Sequence, residues 1–245
     1  MTTEQQQDLS QQFQRFIKRY EAIYAPKFNK ALQSQIQQYV DSGTLMAITS
    51  DQVYKVLLEV YENSAAVWAH KSMLHTRRLK GRQPMGFSIR INELMKKHFG
   101  IDLLNIAQQI TETTKKVIGE ILSASIDTGE SFNEIVAKLQ NENLTRIRAR
   151  LIARTEVVSS ANAAAVINAK ETSIVTGITL RKMWIATTDS RTRHDHVEVD
   201  RHVIGIDDSF IVGGFRMTQP GDRTQGAPAS EICNCRCTVG MVPVN

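Results

Sequence analysis

For most of its length this chain keeps a helical period, and then it abandons it. Between residues 9 and 170 the apolar side chains recur at three- and four-residue spacing. After Gly177 that rhythm gives way to β-branched runs, paired glycines and crowded polar residues. The change of period fixes the fold class as α+β, mainly helical in its N-terminal and central parts. A small C-terminal module of strand, short helix, hairpin and final strand follows. A chain of 245 residues can bury a sizeable core as one large domain or two smaller ones. We divide it at residue 100, into a helical docking region over 1–100 and a second unit over 101–245. The second unit is helical over 101–176 and carries the α+β module over 177–245.

Along the helical part, Phe13, Phe16, Ile17 and Tyr20 make one stripe and Leu32, Ile36, Tyr39 and Val40 another. Pro26 lies between them and predicts a break or a new helix start. Asp41 to Thr44 reads as a turn, and Ser50 and Asp51 as the cap of a helix from Gln52 to about His75. A basic loop is expected at 77–86, a short basic helix over 88–100 ending at Gly100, and a further helix over 102–126. Asp127 to Ser131 stops that helix and caps the next, patterned by Phe132, Ile135, Val136 and Leu139. Leu144 to Lys170 follows, alanine-rich enough for close packing.

In the module, Ile178 to Thr187 reads as a strand. Asp189 and Ser190 are expected to cap a short helix through Val199, with Asp189 paired to Arg193 at i,i+4 spacing. Gly213 and Gly214 between two β-prone runs predict a tight hairpin, because primed turns need positive φ. The last strand would place Cys233, Cys235, Cys237 and Val239 on one face and Asn234 and Arg236 on the other.

All three cysteines and half of the histidines fall between Trp184 and Val239. Three readings of this stretch compete. In the first, Cys235 and Cys237 with His196 or His202 bind zinc, although Cys-x-Cys lacks the usual knuckle spacing. In the second, His194, Asp195, His196, Asp200 and His202 hold a divalent ion for a nuclease. In the third, the residues are structural. Cys235 and Cys237 fill space, and Arg154, Glu156, Asp189, Arg191, Arg193 and Arg236 form a buried charge network. The residues alone favour the third, with no cofactor and no catalytic role. No phosphate-cradling loop or serine elbow appears, and Glu198-Val199-Asp200 is not the Glu-x-Glu pair of an arginine-directed ADP-ribosyltransferase.

The charge is uneven. The whole chain carries +5, but residues 70–97 alone carry +7. Arg77, Arg78, Lys80 and Arg82 are therefore candidate contacts for DNA phosphates or an acidic protein surface. The polar start predicts no signal peptide, and no stretch reads as a membrane span. Three cysteines spaced by two make a poor disulfide framework and point to a reducing compartment.

The ordered set Ile152-Ala153-Arg154-Thr155-Glu156, Trp184, Asp189-x-Arg191-Thr192-Arg193-x-x-His196, Phe210, Pro220-Gly221-Asp222 and Asn234-Cys235-Arg236-Cys237 resembles the phage Mu F-like minor head proteins. These are head morphogenesis proteins of tailed double-stranded DNA phages. The likeness spans about residues 105–240 and departs from the family pattern at Arg201, where glycine is usual, and at the additional Cys233. It implies a non-enzymatic minor capsid component, made in the host cytoplasm and carried in the virion, inside the capsid near the portal. Its implied partners are portal and capsid proteins and double-stranded DNA bound without sequence preference, with no membrane role. The family module also occurs joined to toxin domains.

Overall fold

A computed structural model describes residues 1–73 and 87–244. The expected basic loop, with Arg77, Arg78, Lys80 and Arg82, lies outside the described residues.

Helix α1 (Thr3–Ser42) opens on a capping box, with the Thr2 side chain accepting from the Gln5 backbone N–H and Gln5 reaching back. It ends at Gly43, whose φ of 70° supplies the left-handed cap. Pro26 does not break it, contrary to expectation. Proline inside a helix costs about 3 kcal/mol. Phe13, Phe16, Tyr20 and Tyr24 before it, and Phe28 and Leu32 after it, are all buried. At about 1.5–3 kcal/mol for each large apolar side chain, their common burial outweighs one lost hydrogen bond.

A short 3₁₀ turn (Leu45–Ala47) leads to α2 (Asp51–Ser72), whose Trp68 packs on the rings of Phe13 and Phe16. Ser50 precedes α2 as foreseen but makes no side-chain capping bond. Helix α3 (Phe87–Asp127) runs on through Gly100, where a stop is expected, so the division at residue 100 falls inside it. One helical glycine costs about 1 kcal/mol, less than the packing of buried Phe99, Leu103, Ile106 and Ala107 around it returns. Helix α4 (Phe132–Leu139) is capped by Ser131 as expected, and Glu134 completes a capping box.

Helix α5 (Glu142–Thr176) is longer than its periodic core and forms the axis of the molecule. It packs against both α1 and α2. Ala149, Ala153, Ala161, Ala164, Ala165 and Ala169 are all buried, so backbones approach closely along it. It ends at Gly177, again left-handed.

Strand β1 (Leu180–Ile185) sits at the centre of an antiparallel sheet. On one side lies β2 (Val203–Gly205) and on the other the C-terminal β5 (Thr238–Pro243), with Trp184 opposite Val239. Between β1 and β2 lies α6 (His194–Glu198). The hairpin of β3 (Phe210–Val212) and β4 (Phe215–Met217) turns on Gly213 and Gly214, both at positive φ as the primed turn requires. A four-residue helix, α7 (Ala229–Ile232), goes unforeseen in the sequence.

Two local expectations fail. Asp189 does not cap α6; Arg193 occupies that position without a side-chain bond. The last strand does not begin until Thr238, because Asn234 adopts φ 60° and breaks the alternation. Consequently Cys233 is exposed while Cys235 and Cys237 are buried. One hydrophobic cluster runs from Leu9 of α1 through α5 to Met241 of β5. No helix among the described residues is long and apolar enough to cross a membrane.

Candidate functional site

Trp184, fully buried on the central strand, organises the module. Its ring meets His196 edge-on at 5.4 Å and Phe210 at 5.3 Å between centroids. Helix α6 is amphipathic over a single turn: it aims His196 inward, 1% exposed, and leaves His194 outside. His196 Nε2 lies 3.1 Å from Glu231 Oε2 of α7. Its Nδ1 lies 3.6 Å from Cys235 Sγ and 3.5 Å from Cys237 Sγ. Both cysteines are 2% exposed, and the Cys237 backbone N–H donates to Cys235 Sγ at 3.4 Å. Contact with Cys235, together with His196, draws the Cys237 thiol below its ordinary range. Three residues of the zinc reading thus lie together, by a route that the sequence does not show.

The charged motif residues separate into three groups rather than one network. Asp189 receives both Arg236 guanidinium nitrogens at 2.6 Å, a bidentate pair that holds its carboxyl well below the usual range. The expected Asp189–Arg193 pair does not form; Arg193 donates to the Cys233 carbonyl at 2.6 Å. Arg191 stays largely exposed, 3.6 Å from Asp189. The second group joins helices: Glu21 of α1 accepts from Arg154 at 2.8 Å and Arg150 at 3.1 Å. Burial works against the Glu21 carboxylate, and the two arginines outweigh it, so its pKa falls. Arg154 also donates to Asn234 Oδ1 at 2.6 Å, so Asn234 faces α5. In the third group, Glu156 accepts from Arg223 at 2.9 Å and from the Tyr61 hydroxyl at 3.2 Å.

Four contributors carry no local signal in the sequence: Glu21, Asn162, Arg223 and Glu231. Asn162 is fully buried and uses its whole amide. It donates to the carbonyls of Pro220 and Cys237, and it accepts from the Thr238 hydroxyl and the Val239 N–H. Gly221 lies so close that a Cβ there would stand 3.0 Å from Ser159 Cα. The Pro-Gly-Asp loop is therefore pressed onto α5, and glycine permits it.

The five residues of the nuclease reading do not converge. His196 is buried, His194 is exposed, Asp200 accepts from the Ala186 N–H at 2.8 Å, and the His202 carbonyl accepts from Trp184 N–H. His194, Asp195 and Glu198 do lie together on the surface, as exposed acidic groups commonly do. Between α1 and α5 opens a cleft of about 770 Å³, lined by Lys18, Glu21, Arg146, Arg150 and Arg154, with Arg191 and Arg236 at the module end. Cations outnumber carboxylates on its walls.

Comparison with known proteins agrees with this geometry. The minor head protein GP7 of Bacillus phage SPP1 is 26% identical over 93% of this chain and 73% of its own length. The NAD(+)–arginine ADP-ribosyltransferase EFV of Enterococcus faecalis is 32% identical over 52% of this chain but only 25% of that protein. An uncharacterized protein of Bacillus subtilis, YqbB, is 27% identical over 56% of this chain and 45% of its own length. The chain thus spans less than half of these last two relatives. No solved structure matches. Residues 116–240 match the Phage Mu protein F like protein family across α3 to β5, taking in the His196–Cys235–Cys237 cluster and its ion pairs, and the chain belongs to that family.

Proposed function

We propose that this chain is a phage minor head protein that acts in head morphogenesis without catalysis, inside the capsid beside the portal. One observation carries the reading: the similarity to a minor head protein extends over 93% of the chain, so the N-terminal helices are shared along with the family module. The physical features suit such a role. Polar groups of the module are consumed in holding it to α5: the Pro220 and Cys237 carbonyls accept from Asn162, and Arg223 donates to Glu156. The basic cleft offers a surface for an acidic partner or for packaged duplex DNA, and the charge of the sequence at 77–82 suits the same partners.

The test is a deletion in the phage that carries the gene, with protein analysis of purified proheads and virions. The protein should co-purify with both, and its loss should yield defective heads. Absence from both particles, with normal heads in the deletion, would remove the proposal. Incubation of the pure protein with duplex DNA and magnesium, manganese or zinc checks the rival class. Cleavage abolished by His194→Ala would replace a structural role with a nuclease.

A further inference from the structure

We propose that His196 Nδ1, Cys235 Sγ and Cys237 Sγ hold one zinc ion, which fastens the irregular segment 233–237 to α6 and β1. Glu231 orients the imidazole for it.

The distances come first. A tetrahedral zinc with a sulfur bond of about 2.3 Å and a nitrogen bond of about 2.0–2.1 Å sets its sulfur and nitrogen ligands about 3.5–3.6 Å apart. The two sulfurs stand 3.6 and 3.5 Å from the same ring nitrogen. A hydrogen-bonded cluster does not ask for this arrangement. His196 Nε2 faces the Glu231 carboxylate, so Nε2 carries the proton and Nδ1 a single lone pair. One lone pair accepts from one thiol, yet two sulfurs share it equally. A cation between the three atoms accounts for both contacts.

The surroundings agree. Carboxylate to imidazole to metal is the usual outer arrangement of a histidine ligand, and Glu231 supplies it from the opposite edge of the ring. Cys235 Sγ accepts the Cys237 backbone N–H, a bond that favours a thiolate. Two thiolates balance the charge of zinc, so the ion and its sulfur ligands bring no net charge into a pocket walled by Trp184. Two sulfurs and one imidazole also select zinc over magnesium or calcium, which take oxygen ligands. Three protein ligands are grouped among the described residues, which leaves the fourth position to a neutral non-protein ligand such as water.

The fold gives such an ion something to do. Between the four-residue α7 and the start of β5 the chain makes no strand pairing, and Asn234 adopts left-handed φ. The sequence, read as a continuous strand, turns the cysteines into space-filling on one face. Instead the unpaired backbone at 235–237 folds so that the Cys237 N–H meets Cys235 Sγ, and both sulfurs face one nitrogen.

The experiment uses the full chain, expressed with zinc in the medium and passed through metal-free buffer. Elemental analysis by mass spectrometry should give one zinc per chain. After removal of zinc, cobalt should restore the site, with thiolate-to-cobalt charge-transfer bands and the visible bands of tetrahedral cobalt. Cys235→Ser with Cys237→Ser should abolish both signals, whereas Cys233→Ser, on an exposed residue, should leave them intact. Glu231→Gln should weaken zinc about 10- to 100-fold while the chain stays folded. The cobalt spectrum of the native sequence decides the matter should the cysteine variants not fold. Protein without zinc and with no cobalt thiolate bands overturns the proposal. So does zinc that survives the double cysteine variant.

Discussion

Arg223→Ala is the substitution from which the largest loss outside the His196–Cys235–Cys237 cluster is expected. Glu156 is 4% exposed and has its two carboxylate oxygens divided between the Arg223 guanidinium at 2.9 Å and the Tyr61 hydroxyl at 3.2 Å. Removing the guanidinium leaves a buried carboxylate with one neutral donor. Breaking one side of a buried pair costs about 3–5 kcal/mol. Chains of 150–250 residues lose about 2–4 °C of Tm per kcal/mol, so a fall of about 6–20 °C is expected. Thermal and urea unfolding of the full chain measure it. Glu156→Leu combined with Arg223→Met should recover most of the loss, because an apolar pair of similar volume often matches a buried ion pair. The effect is local to the seam between α2, α5 and the loop after Gly221, since Tyr61 belongs to α2 and Glu156 to α5. Stability of Arg223→Ala within about 1 kcal/mol of the native chain would refute the reasoning, as would losses that simply add in the double variant.

Lys182 is fully buried and donates to the Ile206 carbonyl at 3.0 Å; burial, aided by Lys170, lowers its pKa to about 8 against the attraction of Asp207, Asp208 and Asp222. Between pH 8 and the ordinary lysine pKa of about 10.4 the unfolded chain binds more protons, so stability rises with pH across that window. Urea titrations at pH 7 and pH 10 should show this rise, on the order of 3 kcal/mol from Lys182; an equal rise in Lys182→Met would remove the assignment. For the basic segment, replacing Arg77, Arg78, Lys80 and Arg82 with glutamine should lower the salt slope of duplex DNA binding by about three to four units. An unchanged slope would exclude these four side chains as phosphate contacts.

What proved legible in the sequence is what depends on near neighbours. Gly43, Gly129 and Gly177 end helices with left-handed φ, the Ser131–Glu134 pair caps α4, and Gly213 with Gly214 turns a hairpin. Each is a conformational demand that a few adjacent residues meet. Trp184 and His196 at the heart of the module also stood out, because a tryptophan carries a large apolar area that favours burial and a histidine carries distinctive chemistry. Partner choice did not. Asp189 has Arg193 four residues away, but the helix that would align them starts at His194, and Arg236 takes the carboxylate instead. Glu21 and Arg154 lie 133 residues apart, and Glu156 and Arg223 lie 67 apart. Pattern carries no information at such separations. The strand through the cysteines failed for a different reason, since a single residue of positive φ inverts the faces of everything before it.

These long-range pairs bear on how the two halves of the chain depend on each other. The family match begins at residue 116, inside α3, and so omits α1 and α2. Yet α5, the longest helix wholly within the matched region, buries its alanines against those two helices. The outlying part also supplies polar partners to the module: Glu21 to Arg154, Tyr61 to Glu156, and Gln14 to the Arg236 carbonyl at 2.9 Å. Stripped of α1 and α2, α5 would present an aliphatic face, Arg154 would lose its carboxylate partner and Glu156 its hydroxyl donor. In this chain the first 72 residues provide the helical cover of the matched region. What a partner in the head meets is then a composite surface. The basic cleft takes one wall from α1 and the other from α5, so neither half forms it alone.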